Sequence, residues 1–357
     1  MSAHLRIVPR ETPSALAACD VDKPSGLFLI WSMPAFQRHL RGMPQVVQQL
    51  HNLRSEADDI WSVPREVLHC HDVALPATLR LRLYHHHDGA RIAYRETGTG
   101  PALALLHSLG LSHREWEPVV GELSSRFRVV LPDLPLHGDS EDRPRHPYTA
   151  DWLAEVIAGF CREVGGTRPL IAGHDIGAEI ALRAVVSGRV EPARLALMPN
   201  RLHRRDEFAG KRAAWRAVCR AAAVPGLDRA LARGATLVFR PSIGEKLSAQ
   251  RNPAARDLVR HAFADVAGNS NRARSWAKFA RRWPADPQRQ LLDAYPRIDT
   301  PVLLLWADED PVHPLIGAYQ ALDLLPNCQL RTLPGTGFLM AYDDPVGVAR
   351  ELISFFG

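Results

Sequence analysis

The segment Gly173-His174-Asp175-Ile176-Gly177 sets a carboxylate between two small residues, behind an apolar run and ahead of a helical pattern. A carboxylate is ionised at neutral pH, so it can attack carbon without prior activation, displacing a halide or opening an epoxide. A serine in the same place would first need a base to take its proton. The preceding Arg168-Pro-Leu-Ile-Ala172 reads as a buried strand, and residues 178–186 read as a helix with one apolar face. The chain must therefore turn sharply at Asp175, and the flanking glycines keep Cβ groups out of a tight bend. The same aspartate also suits a helix N-cap, so its role is decided by what the rest of the chain brings to it.

Those surroundings are built from alternating strand and helix patterns. Residues 81–84 and 91–94 alternate around His85-His-His-Asp-Gly89, which suits a hairpin closed by a glycine turn. Three adjacent histidines raise a metal reading, but on a strand or turn they point in alternating directions, and a solvated hairpin tip is preferred. Buried strands follow at 101–106, 128–131, 168–172, 195–198, 301–306 and 329–333, with helices near 115–124, 149–164, 178–186 and 346–355. This order predicts an α/β architecture, a mostly parallel sheet flanked by helices, whose chemistry sits in loops at the strand C-terminal ends. Between 199 and 295 the strand signals nearly stop and an Ala- and Arg-rich helical pattern, broken by prolines, reads as an inserted lid. Residues 1–79 lack the βα rhythm and read as an added, partly helical arm, a natural element for a homodimer.

With 46% hydrophobic residues in 357, the chain can bury a sizeable core. It shows no membrane-length apolar run and no secretory order at its N-terminus, so the expectation is a cytoplasmic protein without a membrane partner. Five widely spaced cysteines, Cys19, Cys70, Cys161, Cys219 and Cys328, suggest buried thiols rather than disulfides or a zinc site. The formal charge of +5 is carried almost wholly by arginine, thickening between Arg201 and Arg289. A solvated helical face is preferred there over an acidic or electron-rich aromatic ligand, and nucleic acid is not expected. No nucleotide loop, metal constellation or cofactor lysine is visible, and neither a cofactor nor a metal is expected.

Four motifs in order, Leu106-His107-Ser108-Leu109-Gly110, Asp133 to Ser140, the Gly173 to Gly177 turn, and Trp306-Ala-Asp-Glu-Asp310-Pro-Val-His-Pro314, resemble those of the α/β-hydrolase superfamily. The resemblance covers residues 80–357 and implies an eight-stranded, mostly parallel sheet. The core would be 80–198 and 296–357, with 199–295 as the cap. An aspartate at the turn resembles the haloalkane dehalogenase and epoxide hydrolase branch, whose carboxylate forms an ester intermediate. That resemblance implies Asp175 as nucleophile, Asp310 as the acid, and an oxyanion hole from the Ile176 amide with Ser108 or Leu109.

The family's histidine, carried on a turn near the C-terminus, aligns with Phe338, and phenylalanine cannot transfer a proton. His313 is the first candidate replacement; His107 and His174 follow, and His137 reads as structural. Other departures are the lack of any tyrosine from 199 to 294 and Ile176 where haloalkane dehalogenases often place tryptophan. Trp215, Trp276 and Trp283 read as lid packing more than as a pocket lining.

The absent histidine favours non-hydrolytic, cofactor-free chemistry, with Asp175 as a general base or positioning carboxylate whose pKa desolvation raises. Epoxide opening, proton abstraction and carbon–carbon bond formation fit that reading, which resembles tailoring enzymes of bacterial secondary metabolism. Tyr94, Tyr148, Tyr295 and Tyr342 are candidate proton donors for it. The alternatives are a hydrolase with Asp175 as nucleophile and a substitute base, and a ligand-binding protein without catalysis. In each case the ligand is a bulky apolar organic molecule held between lid and core.

Overall fold

The central strands form where leucine-, valine- and alanine-rich runs are buried on both faces, and two largely exposed edge strands complete a sheet of eight. The computed structural model describes residues 79–201, 220, 224, 227, 242–268, 270–282 and 289–357. The expected arm at 1–79 therefore lies outside the described residues, apart from Leu79, as do Trp215 and Trp283. The strands are β1 (Arg80–His85), β2 (Arg91–Thr97), β3 (Ala102–Leu106), β4 (Arg128–Pro132), β5 (Leu170–Gly173), β6 (Arg194–Leu197), β7 (Val302–Ala307) and β8 (Cys328–Leu333). Their spatial order is β1-β2-β4-β3-β5-β6-β7-β8. Only β1 with β2 and β2 with β4 are antiparallel.

Helices cover both faces. On one side lie α1 (Glu117–Ser124) and, at the chain end, α9 (Pro345–Phe356); their Val119, Leu123, Leu352 and Phe355 meet Leu103 and Leu105 of β3. On the other lie α2 (Ala150–Gly165), α3 (Ile176–Val186) and α7 (Ile316–Leu322), whose Leu153, Ile157, Ile180 and Ala318 join Ala104 and Leu106. Alternate residues of one strand thus feed two cores, which is why β3 reads as one continuous apolar run. The helices α7 and α8 (Met340–Asp343) have no counterpart in the sequence reading, because seven and four residues are too few to establish a helical period.

Between β6 and β7 the described elements are helical: α4 (Ser242–Leu247), α5 (Ala254–Gly268), α6 (Ser270–Arg282) and a 3₁₀ segment, Arg289–Arg297. Three basic side chains of α6 reach the loop after β4. Arg272 donates to Asp142 at 3.0 Å, Lys278 to the Pro144 carbonyl at 2.8 Å and Arg282 to the Pro147 carbonyl at 3.0 Å. Cys161 is buried and Cys328 half-buried. No described helix is long and apolar enough to cross a membrane.

Register brings the chemistry together. Leu106 pairs with Gly173, Gly173 with Leu197, and Leu197 with Leu304, so the C-terminal ends of β3, β5, β6 and β7 lie side by side.

Candidate active site

At the end of β5 the chain turns into α3 through Asp175, which holds φ +48°. A non-glycine residue there carries strain of about 1–3 kcal/mol, and the surroundings enforce it. The Asp175 amide donates to the Pro199 carbonyl at 2.8 Å and the His174 amide to the Leu106 carbonyl at 3.0 Å. The glycines serve packing: a Cβ on Gly177 would stand 2.4 Å from the Leu106 carbonyl oxygen, and one on Gly173 2.6 Å from the Ala178 nitrogen. A larger residue at 177 would push the elbow away from β3, and one at 173 would push the start of α3 off the end of β5.

Three side chains line up at this turn. His313 Nδ1 donates to Asp310 Oδ2 at 3.0 Å, and its Nε2 stands 3.3 Å from Asp175 Oδ1. That Nε2 makes no aligned hydrogen bond within the described residues, so it remains able to engage a water. The other oxygen of each carboxylate is also held: Asp310 Oδ1 accepts from the Val312 amide at 2.7 Å, and Asp175 Oδ2 from the Leu109 amide at 3.0 Å. Trp306 at the end of β7 fixes the His313 backbone, its indole N–H donating to the His313 carbonyl at 2.9 Å. The histidine missing from the C-terminal turn is thus matched by one on the loop after β7.

Phe338 is buried against that histidine, with ring centroids 5.7 Å apart and planes 25° from parallel. It also joins an apolar cluster with Ile243 and Leu247 of α4 and Leu258 of α5. An apolar ring in this place excludes water from one face of the imidazole.

Electrostatics follow from the geometry. Burial by itself would raise the Asp175 carboxyl, yet His313, Arg201 and the Leu109 amide hold it well below the usual carboxylate range. This reverses the expectation of a raised Asp175 pKa: desolvation is present but outweighed by the adjacent cation and donors. For His313 burial acts downward, and the carboxylates of Asp310 and Asp175 overcome it, raising the imidazole to about 9. Its folded pKa lies above the unfolded value near 6.5, so its contribution to stability is complete below that value and is lost as pH rises toward about 9. Thermal unfolding between pH 6 and 10, on the order of the two pKa values, should show a decline in melting temperature across this window that His313→Gln lacks.

The remaining candidates divide. Leu109 supplies an amide to the Asp175 carboxylate, and Ile176, as the first residue of α3, carries one of the amides that a helix leaves without an intrahelical acceptor. Ser108 does not share the oxyanion role expected of it, because its amide donates to Glu115 Oε2 at 2.6 Å and its hydroxyl to Glu115 Oε1 at 2.7 Å. His174 points the same way: Nδ1 is 2.5 Å from Glu115 Oε1, and the ring packs on Phe338 at 4.7 Å. Neither is a base for Asp175. His107 is spent on structure, with Nδ1 donating to the Ser108 carbonyl at 2.8 Å and Nε2 accepting from the Leu134 amide at 2.9 Å. Burial holds it, and His137 beside it, in the neutral form.

Glu115 is the site residue that the sequence reading passed over as the start of a helix. Buried beneath the loop after β3, it ties that loop to the elbow residue His174 and so aims the Leu109 amide. A second acid, Glu179, lies buried one turn along α3 and is clamped by Arg201 at 3.0 and 3.3 Å. Two of the candidate tyrosines are hydrogen-bonded to carbonyls away from Asp175. Tyr148 donates to the Arg143 carbonyl and Tyr342 to the Arg114 carbonyl, each at 2.9 Å, while Tyr94 packs on Phe160 and Tyr295 is fully buried. Trp276 lies edge-on to His137 at 4.8 Å, tying α6 to the loop after β4.

Compared with known proteins, the chain matches the Alpha/beta hydrolase family over residues 103–351. It is 27% identical over 283 residues to an uncharacterized protein of Mycobacterium tuberculosis (strain ATCC 25618 / H37Rv), covering 77% of this chain and 79% of that one. It is 28% identical over 249 residues to the magnesium-chelatase 30 kDa subunit of Rhodobacter capsulatus, covering 66% of this chain and 80% of the relative. Among solved structures, the epoxide hydrolase CorEH superposes with a TM-score of 0.63 at 19% identity, over 78% of this chain and 99% of that one. At that identity the likeness is one of fold.

Proposed function

Because the chain belongs to the alpha/beta hydrolase family, we propose that it hydrolyses bulky apolar organic epoxides, with Asp175 as nucleophile, His313 as base and Asp310 as the acid that orients it. The observation that carries this reading is the position of His313 between the two carboxylates, 3.0 Å from one and 3.3 Å from the other. A general-base role for Asp175 was favoured by the lack of a histidine at position 338, and that ground falls away once His313 stands at the site. A carboxyl held well below its usual range is also a weak base but an ionised nucleophile.

Asp175 Oδ1 attacks an epoxide carbon; an O–C bond forms, the ring C–O bond breaks, and the alkoxide takes the proton of the His313 imidazolium directly or through water. Because its pKa is raised to about 9, His313 carries that proton at neutral pH. The imidazolium thereby supplies what lid tyrosines would otherwise give. Esterification removes the charge on Asp175 that helped retain the proton, so His313 is left neutral and ready to deprotonate water. Hydroxide attacks the ester carbon, the Leu109 amide stabilises the charge developing on Oδ2, and the bond from that carbon to Oδ1 breaks; the leaving alkoxide takes the proton of the new carboxylic acid, so the diol carries Oδ1, Asp175 regains its carboxylate and His313 keeps the proton taken from water. An alkyl halide would enter the same ester but needs no proton donor, which makes epoxides the better fit and halides useful probes.

The experiment is a single turnover in ¹⁸O-water, enzyme in excess, with styrene oxide as the first substrate. The expected product is unlabelled, and the label appears in the peptide containing Asp175, because water attacks the carboxyl carbon. Label in the first product with none in Asp175 would mean direct attack by water and a base or positioning role for the carboxylate.

A further inference from the structure

At the tip of the β1–β2 hairpin, we infer a site for a divalent transition metal, zinc in the first instance, formed by His86, His87 and Glu155. One ring nitrogen from each histidine and one carboxylate oxygen of Glu155 all lie within 4.8 Å of one another. His87 Nε2 is already 3.6 Å from Glu155 Oε1. Ligands about 2.0–2.1 Å from a tetrahedral ion stand roughly 3.3 Å apart, so modest closure suffices, and both of these side chains are exposed enough to move. Two imidazoles and a carboxylate suit a borderline ion and leave a position for water.

His86 sets this cluster apart from a chance surface pair. It is 5% exposed, its Nδ1 is 3.0 Å from the Tyr84 hydroxyl, and its buried Nε2 has no hydrogen-bond partner among the described residues. Buried polar atoms without partners are uncommon and require an explanation. A ligating histidine whose other ring nitrogen is held by a protein group is the usual arrangement at a metal, because that bond fixes ring and tautomer.

Helix α2 is shaped for the same purpose. Glu155 and Gly159 are one turn apart on one face, and a Cβ at Gly159 would stand 2.4 Å from the Tyr84 hydroxyl and 3.2 Å from His86 Nδ1. A mid-helix glycine is unfavourable on its own account, and here it makes room for the Tyr84–His86 pair. The fourth polar group of the tip, Asp88, is committed elsewhere: it accepts from the Trp152 indole at 2.7 Å and the Ala90 amide at 2.9 Å. The ion would join the hairpin to α2, independently of the reading of Asp175.

The test uses the full, untagged chain stripped with chelator and titrated calorimetrically with zinc chloride. Cobalt(II) serves as a spectroscopic probe, and the melting temperature is read with and without metal. One equivalent of zinc is expected, with a higher melting temperature and a cobalt spectrum of low-symmetry coordination. His87→Ala, at an exposed position, and Glu155→Gln, at a half-buried one, should each weaken binding at least about 10-fold, and Tyr84→Phe by roughly 10- to 100-fold. Absence of stoichiometric uptake by the native chain, or uptake unchanged in both His87→Ala and Glu155→Gln, would overturn the site.

Discussion

His313→Ala should turn the protein into one that reacts once and stops. With a positioned base removed, steady-state turnover falls by about 10²- to 10⁴-fold. Formation of the ester from an alkyl halide continues, since that step needs only the ionised Asp175. Intact-mass analysis after exposure to an alkyl bromide should show one persistent alkyl adduct, mapped to the peptide containing Asp175, where native protein shows none. The opposite prediction attaches to a general-base role: removing the cation that holds Asp175 low would raise its pKa and make it a stronger base, with no adduct. Because His313 is buried between two carboxylates, the alanine variant also leaves them facing each other unpaired, a loss of about 3–5 kcal/mol. His313→Gln keeps a donor for Asp310 and tests the chemistry in a better-folded protein. Turnover unchanged in the glutamine variant would remove His313 from the mechanism.

Much of this site was legible because it is local. The turn at Asp175 is written in two glycines and a strand-to-helix change of period, and the structure gives each glycine a backbone atom that a Cβ would strike. The sheet was legible for a similar reason, since β3, β5 and β7 are apolar runs fed to two cores. For the base the sequence ranks His313 first among several histidines but does not show what brings it to the turn. An aspartate and a histidine three residues apart in a loop are compatible with a local turn. What selects His313 is the approach of the loop after β7 to the elbow after β5, two strands away in the sheet. The substitution at 338 is intelligible only with that approach in hand, as the phenylalanine packs on His313, the histidine proposed here as the base.

Glu115 and His86 were missed or misread for the converse reason. Their local sequence is ordinary, a helix start and a polar hairpin tip. Alternation along 85–87 was read correctly, but it could not say that the middle ring would be buried against Tyr84 and α2. Charge was similarly uninformative: Arg201, Arg272 and Lys278 sit in the basic stretch, and each is engaged with a carboxylate or carbonyl inside the protein.

Asp175→Asn should abolish turnover, by at least about 10⁴-fold on the scale of nucleophile deletions, while leaving the fold intact. Asparagine tolerates the positive φ of this position and can still accept from the Leu109 amide, so the elbow keeps its geometry. Loss of rate alone would not separate a nucleophile from a base, since either role needs the carboxylate. Two further readings do. In the His313→Ala background, Asp175→Asn should erase the alkyl adduct, which a nearby bystander nucleophile would preserve. In the single variant, the His313 imidazole should titrate below about 9, because one of the two carboxylates that raise it has become neutral. The decline in stability with rising pH then moves to lower pH and spans a narrower window, as the gap between folded and unfolded pKa closes. A variant that loses turnover, loses the adduct and shifts this titration has lost a nucleophile electrostatically coupled to its base. One that loses turnover with the His313 titration unmoved would show that the 3.3 Å approach of the two groups carries no electrostatic coupling.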